Sequence, residues 1–390
     1  RKRLSTGVSG DAGCAGCDNR TECAGSGKTW SICHTALSIV SSYVDKRVAI
    51  ISYTNRGVQA VQSEIKKQNN GIMHSRITVE SLYSFLLREL IKPYQSYIFG
   101  INEIISLDFS RMYGFINKHR IGQKARYMTS GRNITANEAA ELVVQLNTRS
   151  NGQVIKRLEK IYATVFFDEV QDLSGYDLEI IRLIAASSID LVCVGDPKQA
   201  TVKTNNGQKN KNISGSSMEL FFKDLEKSHS AQISYNTVSR RFNEVICRFA
   251  NDVYPSSNEM STSMTSITPH DGVFLILKFD IPDYYNHYSP QVLRYDKKTD
   301  TLGLSSMNFG ECKGLTFDWI LIFPNKPFLE YIQKGKAFGS PEKYYIAVTR
   351  PRFSIAIAVD KFPLKSKFQF NDITISVGSR HISCKKITFN

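Results

Sequence analysis

The sequence has little of what marks several common protein classes. Cysteine is sparse, with 8 in 390 residues, which does not read as a disulfide scaffold, so a reducing, cytoplasmic setting is expected. No apolar run approaches the ~18 residues that a membrane-spanning helix needs, which argues against an integral membrane protein. The basic start Arg1-Lys2-Arg3-Leu4 has no apolar core behind it and does not read as a secretory signal. Histidines such as His34, His74, His119 and His381 lack ligand spacing. Cys14-Ala-Gly-Cys17 is a C-x-x-C with no second pair behind it, so free thiols are expected rather than a metal clip. Acids are in deficit: 36 Asp and Glu face 50 Lys and Arg, a formal charge of +14. That excess points to a polyanionic partner, of which nucleic acid is the commonest for a soluble protein.

What is present is ordinary globular material, 42% hydrophobic and 22% charged, which excludes global disorder. The length fits two or three domains. Residues 1–22 are rich in small and polar types and read as loop. Beyond them the pattern is α/β. Arg47-Val48-Ala49-Ile50-Ile51-Ser52-Tyr53, Thr164-Val165-Phe166-Phe167-Asp168 and Ile189-Asp190-Leu191-Val192-Cys193-Val194-Gly195-Asp196 are apolar strand runs with polar ends. Helical spacing follows over 57–67 and 178–186. Strands alternating with helices indicate a parallel sheet with a site along its carboxyl edge. Residues 86–160 interrupt the alternation as a helical insertion carrying Arg111, Lys118, Arg120, Lys124, Arg126 and Arg132, a basic surface. The polar stretch 198–217 adds Lys203, Lys209 and Lys211. A second alternation follows, with strands at 318–323 and 354–359 and a helix over 343–349.

The sharpest local signal is Ala24-Gly25-Ser26-Gly27-Lys28-Thr29. Glycines allow a tight turn whose N–H groups converge on phosphate oxygens, and the helix that follows adds its positive end. Lys28 would reach the β- and γ-phosphates and Thr29 would ligate Mg²⁺. The strict loop pattern wants Gly where Glu22 stands. Downstream, Asp168-Glu169-Val170-Gln171-Asp172 closes a buried strand with two acids. Asp168 suits a Mg²⁺-holding role, and Glu169 suits a base acting on the attacking water. Together these features point to nucleotide hydrolysis.

In this order the residues resemble the UvrD/Rep/PcrA type of superfamily 1A DNA helicases, in a compact form. Asp168-Glu169-Val170-Gln171-Asp172 resembles that family's D-E-x-Q-D box. Ser52-Tyr53-Thr54-Asn55 is similar to T-x-T-N, and Ser81-Leu82-Tyr83-Ser84-Phe85 to T-I-H-S-F. Val194-Gly195-Asp196-Pro197-Lys198-Gln199 is similar to V-G-D-x-x-Q, and Arg241-Phe242-Asn243 to the arginine motif opening the second lobe, with Arg240 a neighbouring candidate. Lys313-Gly314-Leu315-Thr316-Phe317-Asp318 is similar to K-G-L-E-F-D, and Tyr345-Ile346-Ala347-Val348-Thr349-Arg350-Pro351-Arg352 to Y-V-A-L-T-R-A-R.

The resemblance implies two RecA-like P-loop motor lobes with parallel sheets. Residues 1–85 and 161–232 would form the first lobe, 86–160 its helical insertion, and 233–390 the second lobe. It implies ATP with Mg²⁺ and a single-stranded DNA translocase or helicase moving 3′→5′, with ATP hydrolysed between the lobes. Gly25, Ser26, Gly27, Lys28, Thr29 and Asp168 would hold the nucleotide, with Thr29 and Asp168 on the metal. Glu169, Gln199, Arg241 and Arg350 would act in hydrolysis, and Tyr53, Asn55, Ser81, Tyr83 and Lys313 on DNA. Some positions depart from the family. Residues 1–22 hold no Gln, Thr316 replaces a Glu, Ala200-Thr201-Val202-Lys203-Thr204-Asn205 replaces S-I-Y-x-F-R-G, and the large second-lobe insertion does not fit between Asn251 and Asn308. The alternative is a DNA- or nucleotide-sensing ATPase subunit that gates a partner protein such as a nuclease, for example in phage defence.

Overall fold

The computed structural model describes residues 17–42, 45–100, 104–110, 117–129, 132–201, 209–213, 217–227, 231–265 and 268–389. Cys14, Arg111 and Lys203 lie outside the described residues. The chain divides into two compact units. The first comprises Arg1–Thr21, Lys28–Pro197 and Val202–Tyr235; the second comprises Glu22–Gly27, Lys198–Thr201 and Asn236–Asn390.

The first unit is built on β1 (Cys17–Glu22), β2 (Arg47–Ser52), β3 (Ile77–Ser81), the short β4 (Leu107–Asp108) and β5 (Ile134–Thr135), β6 (Tyr162–Asp168), β7 (Asp190–Gly195) and β8 (Ala231–Asn236). Six of these form one sheet in the order β3-β2-β6-β7-β1-β8. The β2–β3, β2–β6, β6–β7 and β1–β7 pairs are parallel.

Side-chain alternation divides the core between the two faces of the sheet. Val48, Ile50, Phe166, Val192 and Val194 pack with Ile32 and Ala36 of α1 (Lys28–Ser42) and with Val61 and Ile65 of α2 (Asn55–Gln68). Ala49, Ile51, Val165, Phe167, Leu191 and Cys193 pack with the helices Ala139–Arg149, Asp177–Ala185 and Met218–Lys227. Burial on both faces explains why these strands read as continuous apolar runs. Each large apolar side chain buried this way is worth about 1.5–3 kcal/mol.

The structure overturns one expectation. Residues 17–22 are a strand rather than a loop, with Cys17 to Thr21 in register with Leu191 to Gly195. The backbone ladder with β7 orders a polar segment, Asp18-Asn19-Arg20-Thr21, that has no apolar pattern to betray it. The 86–160 segment is helical over Ala139–Arg149 and Gln153–Ile161. It also contains a π-helical turn, Leu86–Ile91, and a parallel β4–β5 pair.

The second unit carries β9 (Val238–Ser239) paired with β10 (Ser261–Thr262). It continues through β11 (Gly272–Leu277), β12 (Gln291–Arg294), β13 (Ser306–Asn308), β14 (Phe317–Phe323), β15 (Pro351–Val359), β16 (Gln369–Val377) and β17 (Arg380–Thr388). The last seven form a sheet in the order β13-β12-β14-β15-β11-β17-β16. β11 to β15 pair in parallel, whereas β17 runs antiparallel to both β11 and β16. The sheet is therefore mixed, with a β-hairpin past residue 359 where the sequence reading placed no element. Its signal was present: Ile373, Ile375 and Val377 recur at period two before Gly378, which turns with φ 63°.

Among the described residues no helix is long and apolar enough to cross a membrane. The described cysteines Cys23, Cys33, Cys193, Cys247, Cys312 and Cys384 are buried and in no disulfide, in keeping with thiols that pack.

His270 shows how the second unit responds to acid. Its ring stacks on Phe274 and Tyr288 at 4.3 and 4.4 Å, and Nε2 lies 2.9 Å from the Tyr284 hydroxyl. Burial, and then the charge of Lys386, pull its pKa down to about 4. Above pH 6.5 the ring is neutral folded or unfolded. As pH falls from 6.5 towards 4 the unfolded chain takes the proton first, so stability drops by roughly 3 kcal/mol. Urea unfolding at pH 7 and pH 4.5 should show this loss in the wild type and a smaller loss in His270→Gln. Equal losses in the two proteins would contradict it.

Candidate nucleotide and nucleic-acid site

In the first unit the polar residues picked out by sequence follow the carboxyl ends of parallel strands. Lys28 and Thr29 open α1, the helix after β1, and both are partly exposed. Asp168 ends β6 and is buried. The Glu169 N–H donates to Asp168 Oδ1 at 3.0 Å. Glu169 has φ 57° and ψ 39°, a left-handed conformation that costs a non-glycine residue about 1–3 kcal/mol and is typical of functional turns. Its carboxylate accepts from Gln171 Nε2. Gln171 Oε1 in turn accepts from the Asp196 N–H at 3.1 Å, tying the end of β6 to the end of β7.

This tie assigns a role to Gly195 that sequence reading did not give it. A Cβ there would lie 2.5 Å from Gln171 Oε1 and 2.9 Å from Val170 Cγ1. Cys33, on α1, is held as a thiol. Burial first, then Glu64 and Asp168, push it up to about 12.

Four of the five residues expected to touch DNA, Tyr53, Asn55, Ser81 and Tyr83, lie at or just after the ends of β2 and β3. Thr54 caps α2 by accepting from the Gly57 N–H at 3.0 Å, and Asn55 is exposed as the first residue of that helix. Ser81 is also a helix cap, its Oγ accepting from the Ser84 N–H at 3.2 Å. Tyr53 and Tyr83 lie 6.1 Å apart. Phe109, which sequence reading missed, stands edge-on to Tyr83 at 5.1 Å and is 51% exposed. A lone aromatic between Asp108 and Ser110 carries no periodic signal, and only the fold brings it to the tyrosines.

The basic surface of the insertion is smaller than the sequence suggests. Lys118, Arg120 and Lys124 are exposed. Arg126 is instead in a half-buried ion pair with Glu141, reinforced by a 2.8 Å bond to the His119 carbonyl. Lys209 pairs with Glu179 at 4.0 Å.

In the second unit Gln199, Arg241 and Arg350 come together. Arg350 is buried to 2% exposure. It donates to the Ile346 and Leu315 carbonyls at 2.8 and 3.3 Å, to Thr349 Oγ1 at 2.9 Å and to Gln199 Oε1 at 3.2 Å. Arg241 donates to the Thr349 carbonyl at 2.7 Å. Burial, and then the charge of Arg350, pull Arg241 down to about 9. Among the described residues neither guanidinium has a carboxylate partner. Two cations enclosed together without an acid make a site that favours an anion.

The Glu22–Gly27 loop belongs to this unit. The Arg240 N–H donates to the Gly25 carbonyl at 2.9 Å. Gly25 has φ 79°, and a Cβ on it would meet Ser239 Oγ at 2.6 Å and Arg241 Cβ at 2.7 Å. A cavity of about 420 Å³ is lined by Gly25, Gly27, Arg240, Arg241, Thr316 and Arg352. Lys313 is partly buried, next to the turn Phe309–Cys312. The neighbouring Glu311 is engaged in a capping box with Asn308, with bonds of 3.1 and 3.0 Å.

Residues 117–208 match the family model of the UvrD/REP helicase N-terminal domain, a stretch that includes the Asp168-Glu169 box, Asp196 and Gln199. That stretch, about a quarter of the chain, is similar to this helicase domain. No curated protein matches the chain. Among solved structures the chain is similar to one titled as a complex of arterivirus nonstructural protein 10, a helicase, with DNA. Identity is 13% and the TM-score 0.41, over 89% of this chain and 61% of that one. The chain thus spans less than two thirds of that helicase.

The arginine pair yields a direct expectation. Millimolar inorganic phosphate should raise the thermal midpoint of the wild type, because an anion that binds only the folded state stabilises it. Arg241→Met should lose that response. An equal response in both proteins would show that the pair does not hold the anion.

Proposed function

We propose that this UvrD-like chain hydrolyses ATP with Mg²⁺ and uses it to move along single-stranded DNA, 3′→5′ as the resemblance implies. The observation that carries the reading is the buried Arg350, bonded to Gln199, together with the partly exposed Arg241, because a triphosphate supplies the negative charge the two lack. In this reading residues 1–85 and 161–232 form a first RecA-like motor lobe, 86–160 its basic insertion, and 233–390 a second lobe.

The residues suit the nucleotide and its metal. Mg²⁺ takes hard oxygen ligands, commonly one or two carboxylates together with phosphate oxygens and water. The buried Asp168 carboxylate and the Thr29 hydroxyl are donors of that kind. When bound, Mg²⁺ neutralises charge on the phosphates. Gly25, Ser26 and Gly27 supply the loop, and Lys28 places an ammonium at the start of α1, whose N-terminus favours anions.

Glu169 acts on the attacking water. Its carboxylate is aimed by Gln171 and by a strained backbone, so little reorganisation is needed when it takes the proton. Arg241 and Arg350 hold phosphate oxygens with donors that never lose their place in the fork. Gln199, bonded to Arg350, reports the state of that contact. Tyr53, Tyr83 and Phe109 offer ring faces and edges to bases, with Asn55 and Ser81 as polar contacts in the same unit; in the second unit Lys313 offers an ammonium to the DNA backbone. Stacking of this kind tolerates any sequence.

Three variants separate these roles. Lys28→Ala should lose nucleotide binding. Glu169→Gln should bind nucleotide as the wild type does but turn it over about 10²–10⁴-fold more slowly. Phe109→Ala should weaken single-stranded DNA binding about tenfold while leaving nucleotide affinity unchanged. Fluorescent-nucleotide titration, steady-state ATPase and DNA anisotropy measure the three. Full hydrolysis in Glu169→Gln would remove Glu169 from the chemistry.

A further inference from the structure

The phosphate loop begins with a residue that phosphate binding does not ask for. Glu22 ends β1 and stands where the strict pattern has glycine. Its side chain does not swing out to solvent. Glu22 is 4% exposed and Ser26, inside the loop, is 5% exposed. The Ser26 hydroxyl donates to Glu22 Oε2 at 2.7 Å. The turn between them is short, with the Ser26 N–H donating to the Cys23 carbonyl at 3.4 Å, and the Cys23 N–H bonds the Asn236 carbonyl at 2.9 Å. A carboxylate is therefore folded into the loop whose N–H groups are meant for phosphate. Burying a carboxylate is costly unless it is hydrogen-bonded, and the Ser26 hydroxyl meets that need.

Resting on the nucleotide reading above, we propose that Glu22 is a specificity-determining residue of the phosphate loop: bonded to Ser26, it opposes metal-free nucleotide and restricts the loop to magnesium-complexed triphosphate. The mechanism is electrostatic. Free ATP brings about four negative charges near neutral pH and its magnesium complex about two, because the ion carries two positive charges. A fixed carboxylate in the loop repels both forms, but the metal-free form more. Repulsion between unit charges a few ångströms apart corresponds to about a tenfold change in affinity or more at the effective dielectric of a protein surface. The same carboxylate holds the Ser26 hydroxyl away from phosphate until nucleotide enters. An alanine or glycine at position 22 would allow the same turn without discrimination.

The test is titration of the full chain with a fluorescent ATP analogue, once with excess Mg²⁺ and once with EDTA, for wild type, Glu22→Gln, Glu22→Ala and Lys28→Ala. Glu22→Gln keeps the size and the hydrogen-bond acceptor and removes only the charge. Glu22→Gln and Glu22→Ala should tighten metal-free binding about tenfold and magnesium-complexed binding less, so the ratio of the two dissociation constants falls. Circular dichroism and thermal midpoints confirm that each variant is folded. An unchanged ratio in a folded Glu22→Gln, or weaker binding in both conditions, overturns the role of Glu22. Unchanged binding in a folded Lys28→Ala overturns the nucleotide reading beneath it instead.

Discussion

Parallel pairing is the constraint on which the rest depends. Strands that run the same way must be joined by crossovers, so β1, β2, β3, β6 and β7 of the first sheet leave at the same edge. In that unit the segments after β1, β2, β3, β6 and β7 begin with Lys28, Tyr53, Leu82, Glu169 and Asp196 or lie within a few residues of them. The strands supply burial on both faces. The edge collects the polar groups that cannot be buried there. The Gln171 bridge between Glu169 and Asp196 shows how closely two such ends are tied. It also explains why Gly195 admits no side chain.

The second unit applies a different device. It brings together two guanidiniums held by backbone carbonyls. Arg350 reaches the carbonyls of Ile346 and Leu315, and Arg241 that of Thr349. Carbonyls fix the geometry without neutralising the charge, so the pair stays attractive to an anion. Glu22, in the Glu22–Gly27 loop of the same unit, is held instead by the Ser26 hydroxyl.

Much of this was legible in the sequence, for identifiable reasons. The strands buried on both faces announced themselves as apolar runs: Thr164 to Asp168 falls within β6, and 189–196 brackets β7. The acidic box stood out as two acids closing a buried apolar strand, and Asp168 does end β6 with Glu169 directly after it. β1 was not readable, since Asp18-Asn19-Arg20-Thr21 owes its strand to neighbours distant in sequence. Phe109 was missed because nothing local sets it apart, and Arg126 misled because its partner Glu141 lies fifteen positions away. Glu22 was visible as a departure from the loop pattern, but its bond to Ser26 was not.

The account stands most directly on whether nucleotide turnover answers to a nucleic-acid strand. The measurement is the steady-state ATPase rate of the wild-type chain with no nucleic acid, with single-stranded DNA, with duplex DNA and with RNA, each at two salt concentrations. The account predicts a rate that rises on adding single-stranded DNA. The DNA concentration needed for half the effect should increase steeply with salt, as phosphate contacts release counterions. A rate indifferent to single-stranded DNA at both salt concentrations would contradict it.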